Sequence, residues 1–326
     1  MSISREISQS RSLSSRDFLG IHADKPRVGP GNQIMKPVRK AVLPVAGFGT
    51  RVLPATKSVP KEMLTVFDRP AIQYVVDEAR EAGIEHFVFV TGRNKHVIED
   101  YFDKAFELET TLAAKKKDAL LAELKAASLP PGSASFTRQQ AALGLGHAVL
   151  CAREMIGAEP FAVLLPDVLV KSKPSCLAQM VATYNEVGGN IVAVDEVPLE
   201  RVSSYGVIDP SDPDSAGQLV KMKGMVEKPP ATEAPSRLKI TGRYILQPEI
   251  FDLLATQTPG AGGEIQLTDA MQRLMSVQDF HAFRYQGQDY DCGDKLLYLE
   301  AFAAMALAHP ELGAGARAVL EGVLRK

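Results

Sequence analysis

The stretch Lys40-Ala-Val-Leu-Pro-Val-Ala-Gly-Phe-Gly-Thr-Arg51, with Lys61 ten residues further on, decides how this chain is read. An apolar run of strand character leads directly into a glycine loop that carries two cations. Gly47 and Gly49 leave backbone N–H groups open to close approach by an oxyanion, and Arg51 and Lys61 add countercharge. Such a loop is a cradle for a triphosphate.

Two commoner glycine loops are excluded. A dinucleotide-binding loop has G-x-G-x-x-G opening into a helix, whereas the sixth position here is Val52, and Pro54 and Pro60 keep the segment irregular. A P-loop has G-x-x-x-x-G-K-[ST], which does not occur in the chain.

Outward from the loop, Ile72, Val75, Val76 and Ala79 recur at helical spacing, with Gly83 placed as a C-terminal cap. Residues 86–91 then form a short apolar run of strand character. Strand, loop, helix and strand in succession predict a parallel βαβ unit. The alternation returns at 161–165, at the helix carrying Leu177, Met180, Val181 and Tyr184, and at 191–194. These features predict an α/β fold with a doubly wound, mostly parallel, Rossmann-like mixed sheet. Beyond Pro198 the strands at 205–209, 219–226 and 240–246 are short and closely spaced, as antiparallel pairing at one side of the sheet requires. Residues 106–127, with Lys115-Lys-Lys117, read as a solvated surface insertion. Helices are expected at 294–305 and, more weakly apolar, at 314–324; their Ala and Leu surplus suits a homo-oligomer contact, dimer or tetramer, as well as a core.

With 326 residues the chain has room for one large α/β domain, or for one domain plus an appendage; the family resemblance given below implies a catalytic domain at 36–310, with residues 311–326 as an appended helix. Residues 1–35, rich in Ser, Arg and Gly, are expected to form a disordered extension. Lys and Arg number 37 against 39 Asp and Glu, so no basic field exists to recruit nucleic acid. Cys151, Cys176 and Cys292 form no C-x-x-C pair, which argues against a zinc site or a disulfide framework. No apolar run is long enough for a membrane span. The expected location is cytoplasmic.

The wording G-x-G-T-R-x-x-P-x-T-K-x-x-P-K-E-M, from Gly47 to Met63, resembles the signature of sugar-nucleotide pyrophosphorylases, in particular their bacterial uridylyl-transferring members. The resemblance continues through Gly144-Leu-Gly-His-Ala-Val-Leu-Cys151, Leu165-Pro-Asp-Val168, Tyr205-Gly-Val-Ile-Asp209, Val226-Glu-Lys-Pro229, Gly263-Glu-Ile-Gln-Leu-Thr-Asp269 and Tyr290-Asp-Cys-Gly293. It implies a nucleotidyltransferase that uses Mg2+ to join UTP and α-D-glucose 1-phosphate into UDP-glucose and pyrophosphate. A thymidylyl- or cytidylyltransferase, and a non-catalytic nucleotide-sugar-binding regulator on the same fold, are the alternatives.

Both substrates of such a reaction are anions, so the protein must neutralise charge and align the attacking and leaving oxygens. Asp167 follows an apolar strand, where the carboxyl end of a parallel sheet presents ligand-binding groups; alone it reads equally as a turn residue after Pro166. The resemblance makes Asp167 and Asp291 the metal-binding carboxylates. It gives Arg51 and Lys61 the β- and γ-phosphates, with Lys57 as an auxiliary, and Lys228 the sugar phosphate, so that Arg51, Lys61 and Lys228 are the catalytic cations. The nucleotide pocket it implies comprises Ala46, Gly47, Gly49, Thr50, Glu62, Gln139 and Gly144, and the antiparallel, sugar-side region supplies Gly206 and Glu227. Gln139 has an amide that can both donate to and accept from a uracil edge. His147 reads either as a helix-packing residue or as a nucleotide contact. Without the resemblance, Glu227 and Lys228 read as an exposed polar pair.

Overall fold

Ala41, Val42 and Leu43 are wholly buried, because parallel neighbours lie on both sides of their strand and helices cover both of its faces. The computed structural model describes residues 27–28 and 34–325. In chain order its principal strands are β1 (Lys40–Pro44), β2 (His86–Thr91), β3 (Ala134–Arg138), β4 (Phe161–Leu164), β5 (Val168–Lys171), β6 (Asn190–Glu196), β7 (Gly206–Pro210), β8 (Leu219–Glu227), β9 (Leu238–Leu246), β10 (Phe280–Arg284) and β11 (Gln288–Asp291). β1 lies between β2 and β4, and β3 extends β2, all in parallel. The order β3-β2-β1-β4 reverses direction between β1 and β4, which creates a crevice outside their carboxyl ends.

Side chains alternate across this sheet. Ala41, Leu43, Phe87, Phe89, Ala162 and Leu164 pack on one face with the helices Ala71–Glu81 and Cys176–Val187. Val42, Val88, Val90, Phe161 and Val163 pack on the other with the helices Leu145–Leu150, Ile250–Ala255 and Leu267–Leu274. The expected helix around Ile72 ends as its spacing requires, with Gly83 at φ 86° just beyond it.

The antiparallel strands lie at one side of the sheet as expected, and there they close on themselves. β9 joins β4 antiparallel, and β7, β8, β10 and β6 follow in order until β6 pairs with β9 again, closing five strands into a ring. β9 is shared by the ring and the parallel sheet, and all nine of its residues are buried. The short strands β5 and β11 pair with each other outside the main sheet.

The charged insertion forms two helices, Phe106–Ala114 and Asp118–Ala127, with no buried residue and Lys115–Lys117 in their connecting turn. Helix Lys295–Ala308 is capped by Asp294, and Gly313–Leu324 packs on it without burying a residue. Most of the 1–35 segment, expected to be disordered, lies outside the described residues; at its end Arg27–Val28 pairs antiparallel with Ile34–Met35.

Phe89 stacks between Phe102 and Phe136 in the first core. Phe89→Ala is expected to cost about 3–5 kcal/mol of unfolding free energy in urea titration. Leu120→Ala, on the half-exposed face of the insertion, should stay within about 0.5 kcal/mol of the parent.

Candidate active site

The loop after β1 is irregular because its prolines interrupt helix formation. It runs as three short 3-10 turns, Thr50–Val52, Ala55–Lys57 and Lys61–Met63. Gly49 holds φ 64°, and its carbonyl accepts the Thr56 hydroxyl at 2.7 Å. A Cβ at Gly49 would lie 3.1 Å from Thr56 Cγ2 and 3.2 Å from Lys61 Cβ, so the turn tolerates little but glycine there. The loop thereby folds over Lys61, whose Nζ would sit 4.0 Å from a Cβ built on Gly47.

Lys61 Nζ reaches across the crevice to Asp167 Oδ2 at 2.5 Å. Burial alone would lower the Lys61 pKa, but the charges of Asp167 and Glu62 outweigh it and raise it above the ordinary lysine value. Burial alone would raise the Asp167 carboxyl; Lys61 overcomes that and holds it below the usual range. β5 and β11 place Asp291 opposite Val168, and the Cys292 N–H donates to Asp167 O at 2.7 Å. Asp291 Oδ1 accepts the Gly293 N–H at 2.6 Å, and a Cβ on Gly293 would lie 2.9 Å from Arg51 Nη2. Burial, followed by the charge of Asp167, raises the Asp291 carboxyl despite the Gly293 hydrogen bond. Arg51, Lys61, Asp167 and Asp291 therefore meet at the carboxyl ends of β1 and β4. Among the described residues no cluster of three or more metal-ligating side chains occurs. Two neighbouring carboxylates fit a hard cation that takes its remaining ligands from phosphate and water.

The groups expected around the base gather at the ends of β1, β2 and β3. A Cβ on Gly92 would lie 3.0 Å from Ala46 O, and the Gln139 N–H donates to Thr91 O at 2.9 Å. Gln139 Nε2 donates to Gly144 O at 2.9 Å and lies 3.1 Å from His147 Nδ1. Gly144 has φ 95°, and a Cβ there would fall 2.7 Å from Glu264 Cβ. Ile265 N–H donates to Leu143 O at 2.7 Å and Gly146 N–H to Ile265 O at 2.8 Å, so two motifs far apart in sequence are clasped through their backbones. Glu62 departs from expectation. It is wholly buried, with Oε2 on Lys95 Nζ at 2.7 Å, and burial raises its carboxyl despite that partner. Neighbouring Lys61 occupies the accessible side of the turn, which leaves Glu62 pinning the loop from within.

On the ring side, strand alternation should turn Glu227 and Lys228 to opposite faces. β8 ends at Glu227, and Lys228 takes φ 47°, which brings its Nζ to 3.2 Å from Glu227 Oε1. Glu227 Oε2 accepts the Thr268 hydroxyl at 2.7 Å, and a Cβ on Gly206 would come within 3.2 Å of that same oxygen. Thr268 was not singled out from sequence as a site residue; Thr268-Asp269 within the Gly263–Asp269 block was the available signal.

Sequence reading also misses Arg243, whose signal is a cation near the middle of a largely apolar strand. Its fully buried guanidinium binds Glu78 through Nε at 3.1 Å and Nη2 at 2.8 Å. Nη1 also donates to Leu165 O at 3.1 Å and Nη2 to Val168 O at 2.7 Å, the carbonyls on either side of Pro166-Asp167. Glu78 Oε1 accepts the Leu177 N–H as well, at 3.1 Å.

Comparison with known proteins places this architecture. The nucleotidyl transferase family model matches residues 40–307, and the chain belongs to that family. It is 53% identical to a UTP–glucose-1-phosphate uridylyltransferase of Komagataeibacter xylinus, over 81% of this chain and 92% of the relative. A protein of the same name from Bacillus subtilis is 48% identical over 90% of this chain and 99% of its own length. Among solved structures, a UTP-bound UGPase from Acinetobacter baumannii superposes with a TM-score of 0.80 at 50% identity, covering 87% of this chain and 98% of that one. A UDP-glucose pyrophosphorylase complexed with UDP-glucose gives 0.74 at 42% identity, covering 83% and 100%.

Removing Arg243 would leave Glu78 charged and buried without its countercharge. Arg243→Met is expected to lower unfolding free energy by about 3–5 kcal/mol. The double variant Arg243→Met with Glu78→Leu should recover much of that loss, both read by urea denaturation.

Proposed function

We propose that this protein transfers the uridylyl group of UTP to α-D-glucose 1-phosphate, forming UDP-glucose and pyrophosphate. The observation that carries the reading is the convergence of Arg51, Lys61, Asp167 and Asp291 at the switch point of the sheet. The names of its close relatives support it. A sugar-phosphate oxygen attacks the α-phosphorus in line; the bond from that phosphorus to the bridging oxygen breaks, and its electron pair leaves with pyrophosphate. No side chain need become covalently bound, so positioning and charge neutralisation supply the catalysis.

In this reading Gly47, Gly49 and Thr50 offer backbone N–H groups to the phosphates. Lys61 and Arg51 carry the charge that develops on the leaving β- and γ-phosphates, the planar guanidinium also fixing their geometry. Ala46, Gln139 and Gly144 hold the base. Glu227, oriented by the Thr268 hydroxyl, accepts hydrogen bonds from glucose; Gly206 admits the ring, and half-exposed Lys228 holds the sugar phosphate. Asp167 and Asp291 would hold Mg2+, which neutralises phosphate charge when bound. The exposed Leu296, Leu299, Val319 and Val323 of the two C-terminal helices support a homo-oligomer contact. The free cysteines suit a cytoplasmic setting, and no helix of the described residues is long and apolar enough to cross a membrane.

Pyrophosphate release should be fastest with UTP and glucose 1-phosphate when UTP, dTTP and CTP are compared. Asp167→Asn, which keeps shape and removes charge, is expected to lower kcat by at least ~10²-fold. Near-parental turnover by a folded Asp167→Asn protein would remove the metal assignment.

The two lysines should separate by substrate. Lys61→Ala is expected chiefly to impair use of UTP and, in reverse, of pyrophosphate, whereas Lys228→Ala chiefly raises KM for glucose 1-phosphate. Initial rates with each reactant varied test this, and a Lys228→Ala effect confined to UTP would misplace the sugar phosphate.

A further inference from the structure

The Gln139 amide is already half committed before any ligand arrives. Gly144 O, at 2.9 Å, is a carbonyl and can only accept, so the amide nitrogen must face it. The second hydrogen on Nε2 lies toward His147 Nδ1 at 3.1 Å, which must then be the unprotonated nitrogen of the ring. The Cys151 sulfur lies 3.9 Å from the same Nδ1, whose single lone pair the nearer Gln139 amide takes. With both donors of Gln139 engaged, Oε1 is left without a hydrogen bond to another described residue and is an acceptor only.

We infer that His147 is a positioning residue for base selection: together with Gly144 O it holds the Gln139 amide nitrogen and so leaves Oε1 for the base, where the site accepts from an N3–H and rejects a base that has none. The inference rests on the proposed uridylyl transfer and on Gln139 as the base contact. Uracil and thymine both carry a hydrogen on N3, so this device does not separate UTP from dTTP. Cytosine has a lone pair on N3, and two acceptors would face each other across the contact. A site committed to one hydrogen-bonding sense rejects the wrong base far more strongly than an apolar pocket rejects a methyl group. Neither the helix-packing nor the nucleotide-contact reading of His147 expresses this role; the ring acts through Gln139.

The experiment measures kcat/KM for UTP, dTTP and CTP, with glucose 1-phosphate saturating, in the full chain and in three variants whose melting temperatures are recorded. His147→Ala removes the acceptor and is expected to lower the UTP:CTP ratio roughly tenfold while leaving UTP:dTTP unchanged. His147→Lys presents donors only, sets an ammonium against the amide nitrogen that Gly144 O also holds, and should lower UTP:CTP further. His147→Asn can place an amide oxygen near the position of Nδ1 and should keep the ratio close to that of the parent. General damage to the pocket would move both ratios together and would not be rescued by Asn. An unchanged UTP:CTP ratio in the Ala and Lys variants, or an Asn variant that loses as much as Ala, overturns the inference alone. Failure of the unaltered protein to turn over UTP overturns the uridylyl reading and this inference with it.

Discussion

The guanidinium of Arg243 is the constraint on which the active crevice depends. An arginine cannot shed its proton to escape burial, so its charge must be met on the spot. Glu78 meets it from the Ala71–Glu81 helix, and the remaining N–H groups go to Leu165 O, Val168 O and, at 3.4 Å, Gly242 O. One side chain on the strand shared by ring and sheet thus ties together a covering helix and both sides of the turn that presents Asp167. The backbone of that turn has little freedom to shift without leaving a buried polar group unpaired.

Charge in the crevice is balanced by opposite partners. Lys61 and Asp167 neutralise each other across the gap between β1 and β4, which keeps two partly buried charges from standing alone. Arg51 lies beside Gly293 and the Asp291 carboxylate. In the proposed reaction a phosphate chain with its metal ion would offer each of these groups a partner of the opposite sign. Glu62 and Lys95 serve differently: their buried pair fastens the Lys61–Met63 turn to the segment after β2 and keeps the neighbouring ammonium aimed into the crevice. At the other end, the left-handed backbone of Lys228 overrides strand alternation, so Glu227 and Lys228 face one site.

Periodicity and turn chemistry determined much of this protein without help. The strand before the glycine loop, the Ala71–Glu81 helix with Gly83 beyond it, β2 and β4, and the parallel core they build all follow from local apolar spacing, because burial of one face is written in the residues that supply it. The wording around Gly47, Asp167 and Gly263 likewise marked the segments that converge. Tertiary structure alone decided how they meet. Closure of the ring, the β5–β11 ladder beside Asp167, the Thr268–Glu227 bond and the clasp of Gly144 by Glu264 and Ile265 join residues distant in sequence, and no local pattern records such partners. Arg243 and Glu62 show the reason most plainly: whether a charged side chain meets solvent, substrate or a buried opposite charge depends on what the rest of the chain packs against it, and that is settled only when the chain has folded.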